Sequence, residues 1–279
     1  MSSYPNAEAL ISDAALRIDQ FGLEYGILIV EGPDDKRFFC TRTHHRQQVI
    51  ASGGRRMLLS AHAYAARREI DGIAFLTDCD YEVALGTLTP SWDLIITHHA
   101  DIEADLLDLG GFEQLVLQVV PAALNDEREL TRITHAARQR AVALADVLGR
   151  IRRVAKQEGF VIDADIRHHK YRKQDSDEID EKKLTRAVFQ AATDPTLELG
   201  EFEQRVMQID QSYNNCNGHD LVAALHHVLR DDFGVRGQSV EHMEHLLRTG
   251  ISAKSFVELD VVIRLKTWEQ RTGRQIIAA

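Results

Sequence analysis

Apolar residues fall in short runs along the first third of the chain and at helical spacing along the rest. Gly26-Ile27-Leu28-Ile29-Val30 is a continuous apolar run ending in Glu31-Gly32. Its length and β-branched content predict a strand buried on both faces, as in a parallel sheet. Gln48-Val49-Ile50-Ala51, Ile73-Ala74-Phe75-Leu76-Thr77 and Leu94-Ile95-Ile96-Thr97 predict three more. Pro33 stands where a helix begins and its missing N–H does no harm. Asp34 and Asp35 follow in that first turn, where the helix dipole favours negative charge. Residues 55–68 read as a further helix, and Asp101-Ile102-Glu103-Ala104-Asp105 as an acidic helix start. A helical segment over residues 1–23 precedes the first strand. Alternating strands and helices over 24–110 predict an open α/β sheet with helices on its faces.

Residues 111–279 read as a mostly α-helical C-terminal region. Over 131–156 the residues Ile133, Ala137, Ala141, Leu144, Leu148, Ile151 and Ala155 recur at spacings of three and four, which puts them on one helix face. Arg138, Arg140, Arg150, Arg152, Arg153 and Lys156 fill much of the remainder, free to bind phosphate or to pair with acids. A polar loop follows at 167–178. Further helices are predicted at 201–210, 220–231, 240–247 and 253–270, the last two capped by Ser239 and Ser252.

Net charge is −10, which argues against nonspecific coating of nucleic acid, since that needs clustered Lys and Arg. It does not argue against a nucleic-acid enzyme whose acids hold metal beside a local basic patch. The three cysteines, Cys40, Cys79 and Cys216, form no Cys-x-x-Cys pair, so neither a disulfide framework nor a structural zinc site is expected. No apolar run approaches the roughly 20 residues that span a bilayer, and Met1-Ser2-Ser3-Tyr4-Pro5 lacks the features of a signal peptide. A cytoplasmic protein with no membrane partner is expected.

The chemistry lies in the acids. Open α/β sheets place ligands at the carboxyl ends of their strands. Glu31 ends the first strand, and Asp78 and Asp80 end the third. If Asp78-Cys79-Asp80 keeps strand alternation, both carboxylates face one side, about 7 Å apart. Asp35 follows Glu31 by four residues. Carboxylates that share a site repel, and a hard dication such as Mg²⁺ or Mn²⁺ relieves the repulsion with oxygen ligands and can activate water at a phosphodiester.

Ile27-Leu28-Ile29-Val30-Glu31-Gly32-Pro33-Asp34-Asp35-Lys36 resembles the first motif of the Toprim domain, a glutamate after a strand, and Thr77-Asp78-Cys79-Asp80 resembles its Asp-x-Asp motif. The Glu-Gly-x-x-Asp spacing is similar to the OLD-type nuclease branch. The segments at 101–107 and 217–221 resemble standalone Toprim nuclease subunits of PARIS-type anti-phage systems. The resemblance implies a Toprim (Rossmann-like) parallel sheet over 24–110. It implies Glu31 as catalytic acid/base or metal ligand and Asp78 and Asp80 as ligands, with Asp35 and Glu103 added in a two-metal version. It further implies an Mg²⁺-dependent endonuclease acting on RNA or DNA as the effector of a defence system. A separate ATPase chain is the expected partner, because no Walker A motif is present. Homodimerisation through the helices is a further expectation. The alternative is a noncatalytic Toprim-fold binding or regulatory subunit of an ATPase complex. Topoisomerases are much longer and primases carry a zinc module, which leaves nuclease as the better reading.

Several residues carry two readings. Ser52-Gly53-Gly54 could cradle a phosphate or make a tight turn. Lys36 could neutralise phosphate or sit solvated. Asp101 could simply cap the helix that bears Glu103. His98 and His99 point apart. His219 could move a proton, cap a helix or pack. Arg167, Lys170, Tyr171, Arg172 and Lys173 combine cations with a stacking ring, as nucleic-acid contacts do, or form a solvated loop.

Overall fold

The computed structural model describes residues 4–120, 126–160, 173, 179–192 and 197–278. They divide into two compact units: Met1–Cys79, Gly86–His98 and Ile251–Ala279 form the first, Asp80–Leu85 and His99–Gly250 the second. This partition differs from a linear division at residue 110.

The first unit holds all four expected strands: β1 (Ile27–Val30), β2 (Val49–Ala51), β3 (Ile73–Thr77) and β4 (Leu94–Ile96). They form one parallel sheet in the order β2-β1-β3-β4. Every residue of β1, β3 and β4 is buried, as their unbroken apolar runs require. Helices α1 (Ala7–Phe21) and α3 (Arg55–Arg67) join one face. Leu10, Ile11, Ala14, Leu58 and Ala61 pack there in one core with Ile27, Ile29, Phe75 and Ile96. Helix α2 (Pro33–Cys40) packs against β2. Chain order reverses between β1 and β3, so the crevice beyond their carboxyl ends is the topological switch point, the usual ligand position in open α/β sheets.

The helix expected over 253–270 is two helices, α11 (Ala253–Glu258) and α12 (Asp260–Thr272). Leu259 leaves the helical region (φ −61°, ψ 131°) while its side chain is fully buried. Its carbonyl accepts the N–H groups of Val262 and Ile263 and so starts the second helix. Asp260 supplies negative charge in that first turn. Helix α12 packs against β3 and β4. The chain after it returns to the root of β1, where Gly26 N donates to Gln275 O at 3.0 Å and Gln275 N to Glu24 O at 2.8 Å.

The second unit is helical. Helices α4 (Ile102–Leu106), α5 (Phe112–Val119), α6 (Glu127–Gln157), α7 (Glu181–Ala191), α8 (Leu199–Met207), α9 (Gly218–Phe233) and α10 (Val240–Gly250) follow in order. All seven stripe residues of α6 are buried, and the helix packs along α9, α5 and α8. Its basic residues pair with acids: Arg138 with Asp108 at 2.7 Å, Arg152 with Asp220 at 3.0 Å, Arg150 with Asp146 at 2.8 Å and Lys156 with Glu82 at 3.0 Å. Ser239 and Ser252 accept N–H groups of the helix turns that follow them. No helix among the described residues is long and apolar enough to cross a membrane.

Candidate functional site

The crevice of the first unit is organised around Glu31. Its main-chain carbonyl accepts the N–H groups of Gly53 and Gly54 at 3.2 and 2.9 Å, and the Ser52 hydroxyl at 3.2 Å. Gly53 and Gly54 stand at φ +89° and +125°, conformations that favour glycine. Ser52-Gly53-Gly54 is therefore a tight turn built on Glu31, and it delivers Arg55, the first residue of α3, toward the same side chain. Glu31 Oε1 accepts the Thr77 hydroxyl, the Asp78 N–H at 3.0 Å and the Arg55 guanidinium at 3.4 Å. Arg55 also donates to Asp78 O at 2.7 Å. The ends of β1 and β3 are thus tied by one carboxylate and one guanidinium. Sequence reasoning picked Glu31 and Asp78 but missed Arg55 and Thr77. An arginine after Gly-Gly and a threonine before Asp-x-Asp were the signals.

Asp35 reaches back to cap its own helix, accepting the Gly32 N–H at 3.0 Å. Lys36 is half-buried in the same turn. The strand alternation conditional on Asp78-Cys79-Asp80 does not reach Asp80. β3 ends at Thr77, and Asp80 and Tyr81 both take positive φ, +46° and +71°.

Asp80 belongs to the second unit, where it lies 3.5 Å from Lys156. Glu103 pairs with Arg248 of α10. Burial pushes the Glu103 carboxyl up against the pull of that arginine. His219 is hydrogen-bonded to Glu244, which raises its pKa. His98 is exposed and His99 buried; the His99 ring meets Asn214 at 3.1 Å and Asp108 at 3.5 Å. Lys173 is exposed and borders a cavity of about 890 Å³ with Arg140, Leu144, Thr185 and Met207. Arg167, Lys170, Tyr171 and Arg172 lie outside the described residues.

Asp101 does more than cap α4. Its Oδ1 accepts Ala104 N at 2.9 Å and Gly218 N at 3.1 Å, and Oδ2 accepts Gly218 N at 2.9 Å, so one carboxylate joins the N-termini of α4 and α9. Gly218 permits the approach: a Cβ there would lie 2.2 Å from Asp101 Oδ1 and 2.4 Å from Glu103 Cβ. Burial, then the neighbouring Glu103 charge, pushes the Asp101 carboxyl well above its usual range.

Asp101→Ala strands two buried N–H donors and is expected to cost about 3 kcal/mol. Asp101→Asn keeps an oxygen for both donors and, at about pH 4 where the folded wild-type carboxyl is still protonated, should stay within about 1 kcal/mol of wild type. The pH dependence separates them further. The unfolded carboxyl titrates near 3.9 and the folded one higher, so between those values the folded state holds more protons. Wild-type stability relative to Asp101→Asn must then fall as pH rises through that window. Urea unfolding of both proteins across the window measures it, and a rising difference would contradict the assignment.

The acids supply hard oxygen donors of the kind Mg²⁺ takes, but their arrangement does not fit a bound dication. Glu31 is held by Arg55, Asp80 by Lys156, Glu103 by Arg248, and Asp35 by a backbone N–H. Among the described residues, no three His, Cys, Asp or Glu side chains are grouped to hold a metal ion. No protein-family model matches the chain, and no curated protein matches its sequence.

Proposed function

We propose that the protein is a nuclease of Toprim type that cleaves phosphodiester bonds in RNA or DNA, with Glu31 as its central residue; dependence on Mg²⁺ enters this reading from the motif resemblance alone. One observation carries the proposal: Glu31 and Asp78 stand at the carboxyl ends of neighbouring strands at the switch point of a parallel sheet, joined through the Asp78 N–H. Both are partly exposed, so a phosphate group can reach them. In this reading Glu31 takes the proton of the attacking water, and Lys36, in the first turn of α2, adds positive charge for the backbone of the substrate. The role as a defence effector silenced by an ATPase partner rests on motif resemblance alone.

The second reading, a noncatalytic binding subunit, is favoured by the pairing of Glu31, Asp80 and Glu103 with protein cations. A cleavage panel separates the two. Single-stranded DNA, duplex DNA and structured RNA are incubated with Mg²⁺ or Mn²⁺ and the protein, beside Glu31→Gln. Cleavage by wild type that the mutant lacks is expected. A wild type that cuts nothing, even when co-expressed with an ATPase encoded beside it, would favour the binding subunit.

A further inference from the structure

Three donors converge on one oxygen of Glu31 and none on the other. Oε1 accepts the Thr77 hydroxyl, the Asp78 N–H at 3.0 Å and the Arg55 guanidinium at 3.4 Å. Oε2 accepts no hydrogen bond from any described residue. Resting on the reading of Glu31 as the proton acceptor of a nuclease, we infer that the two oxygens divide the work. Oε1 is the anchor, Oε2 takes the proton, and Thr77 is the positioning residue that keeps them in those places.

A carboxylate on a flexible stem turns easily about its last bond, which exchanges its oxygens. One donor does not prevent that, because either oxygen can receive it. Donors from separate elements do. Thr77 and Asp78 approach from the end of β3 and Arg55 from the start of α3, so a turn of the carboxylate breaks several bonds together. The arrangement leaves Oε2 as the oxygen with acceptor capacity to spare.

Thr77 is the member of this clamp that local structure does not otherwise need. It ends β3 after Ile73, Ala74, Phe75 and Leu76, and it is 1% exposed. A buried hydroxyl is costly unless it is bonded, and valine, with the same branching, suits a buried strand as well. Among the described residues the hydroxyl has one partner, Glu31. The main chain of Thr77 is fixed separately, its carbonyl accepting the Thr97 N–H at 3.2 Å. The hydroxyl is therefore presented to Glu31 from a rigid element, as a positioned site requires. Proton transfer depends on distance and line of approach. A residue that acts only by aiming Oε2 changes turnover and leaves substrate affinity alone.

The test is steady-state cleavage by wild type, Thr77→Val and Thr77→Ser under the conditions of the cleavage panel, with circular dichroism melts to verify folding. Thr77→Val should lower kcat by about 10- to 100-fold, up to the cost of misplacing a reacting group by about 1 Å. KM should stay within about twofold, since no binding contact is removed. Thr77→Ser keeps the hydroxyl and should retain kcat within about threefold of wild type. Equal kcat for Thr77→Val and wild type, or a loss confined to KM, would overturn the inference. Amide hydrogen exchange at Asp78 reads the clamp without substrate: it should accelerate about tenfold or more in Thr77→Val and stay near the wild-type rate in Thr77→Ser. Wild-type exchange in Thr77→Val removes the positioning role whatever the kinetics show. Accelerated exchange in a protein whose wild type cuts no nucleic acid leaves the clamp standing and removes the nuclease reading.

Discussion

Glu31→Gln is expected to lower phosphodiester cleavage by roughly 10²–10⁴-fold, the span a positioned general acid or base contributes, while the protein stays folded. Glutamine has nearly the same shape. Its oxygen can still accept from the Thr77 hydroxyl and the Asp78 N–H, the two bonds that hold Glu31 across the ends of β1 and β3. What it loses is charge. An amide takes no proton from water at neutral pH and balances neither Arg55 nor a dication. Arg55 keeps its bond to Asp78 O, so the loss in stability should be about 1–2 kcal/mol. Initial cleavage rates with Mg²⁺, beside melting curves, measure both quantities. Cleavage at the wild-type rate would place the chemistry elsewhere; loss of folding would make Glu31 structural. Glu31→Asp is the informative companion. Shortening the side chain by one methylene keeps the charge but withdraws it from Asp78 N, so it should fold as glutamine does and restore little activity.

Gly149→Ala is expected to destabilise the helical unit by about 3 kcal/mol or more, at the upper end of overpacking costs. On an exposed helix the same change would stabilise by up to about 1 kcal/mol, because alanine is the better helix former. Here the environment reverses the sign. A Cβ on Gly149 would lie 1.8 Å from Asn215 O and 2.6 Å from Asn215 C. The obstacle is backbone, so no rotamer change relieves it. The segment is also firmly held. Asp146, one turn earlier on α6, accepts Ser212 N at 2.9 Å and Asn215 Nδ2 at 2.8 Å, and is bonded by Arg150 at 2.8 Å. Asn215 O accepts the Tyr81 hydroxyl at 2.9 Å, so moving it disturbs the residue next to Asp80. Urea denaturation of the full chain reads the loss. A neutral or stabilised Gly149→Ala would mean that α6 and the 213–216 segment do not approach as closely as described.

The strands and most helices were legible because their signals are local. Ile27–Val30 and Ile73–Thr77 are runs too apolar and β-branched for any exposed element, and Glu31, Asp78 and the Ser52-Gly53-Gly54 turn mark where such runs stop. The stripe along α6 identified its buried face residue by residue. Pro33, Ser239 and Ser252 marked helix starts through their own chemistry. The break at Leu259 was not legible. No proline or glycine marks it, and the helical pattern continues through it; only the fold shows Leu259 extended, its carbonyl starting a second helix by accepting the N–H groups of Val262 and Ile263.

The candidate site divides along the same line. Residue type and position at a strand end were enough to select Glu31 and Asp78. They said nothing of Arg55, because the contact joins residues far apart in the chain, and nothing of the cations opposite Asp80 and Glu103. Nor did they show that Asp101 serves two helices, that Gly149 faces a carbonyl, or that residues 275–278 return to the first unit. Periodicity and turn chemistry act over a few residues and determined the elements by themselves. Which charge meets which, and which backbone may approach which, depends on segments brought within hydrogen-bond range only by packing, and the tertiary structure alone decided it.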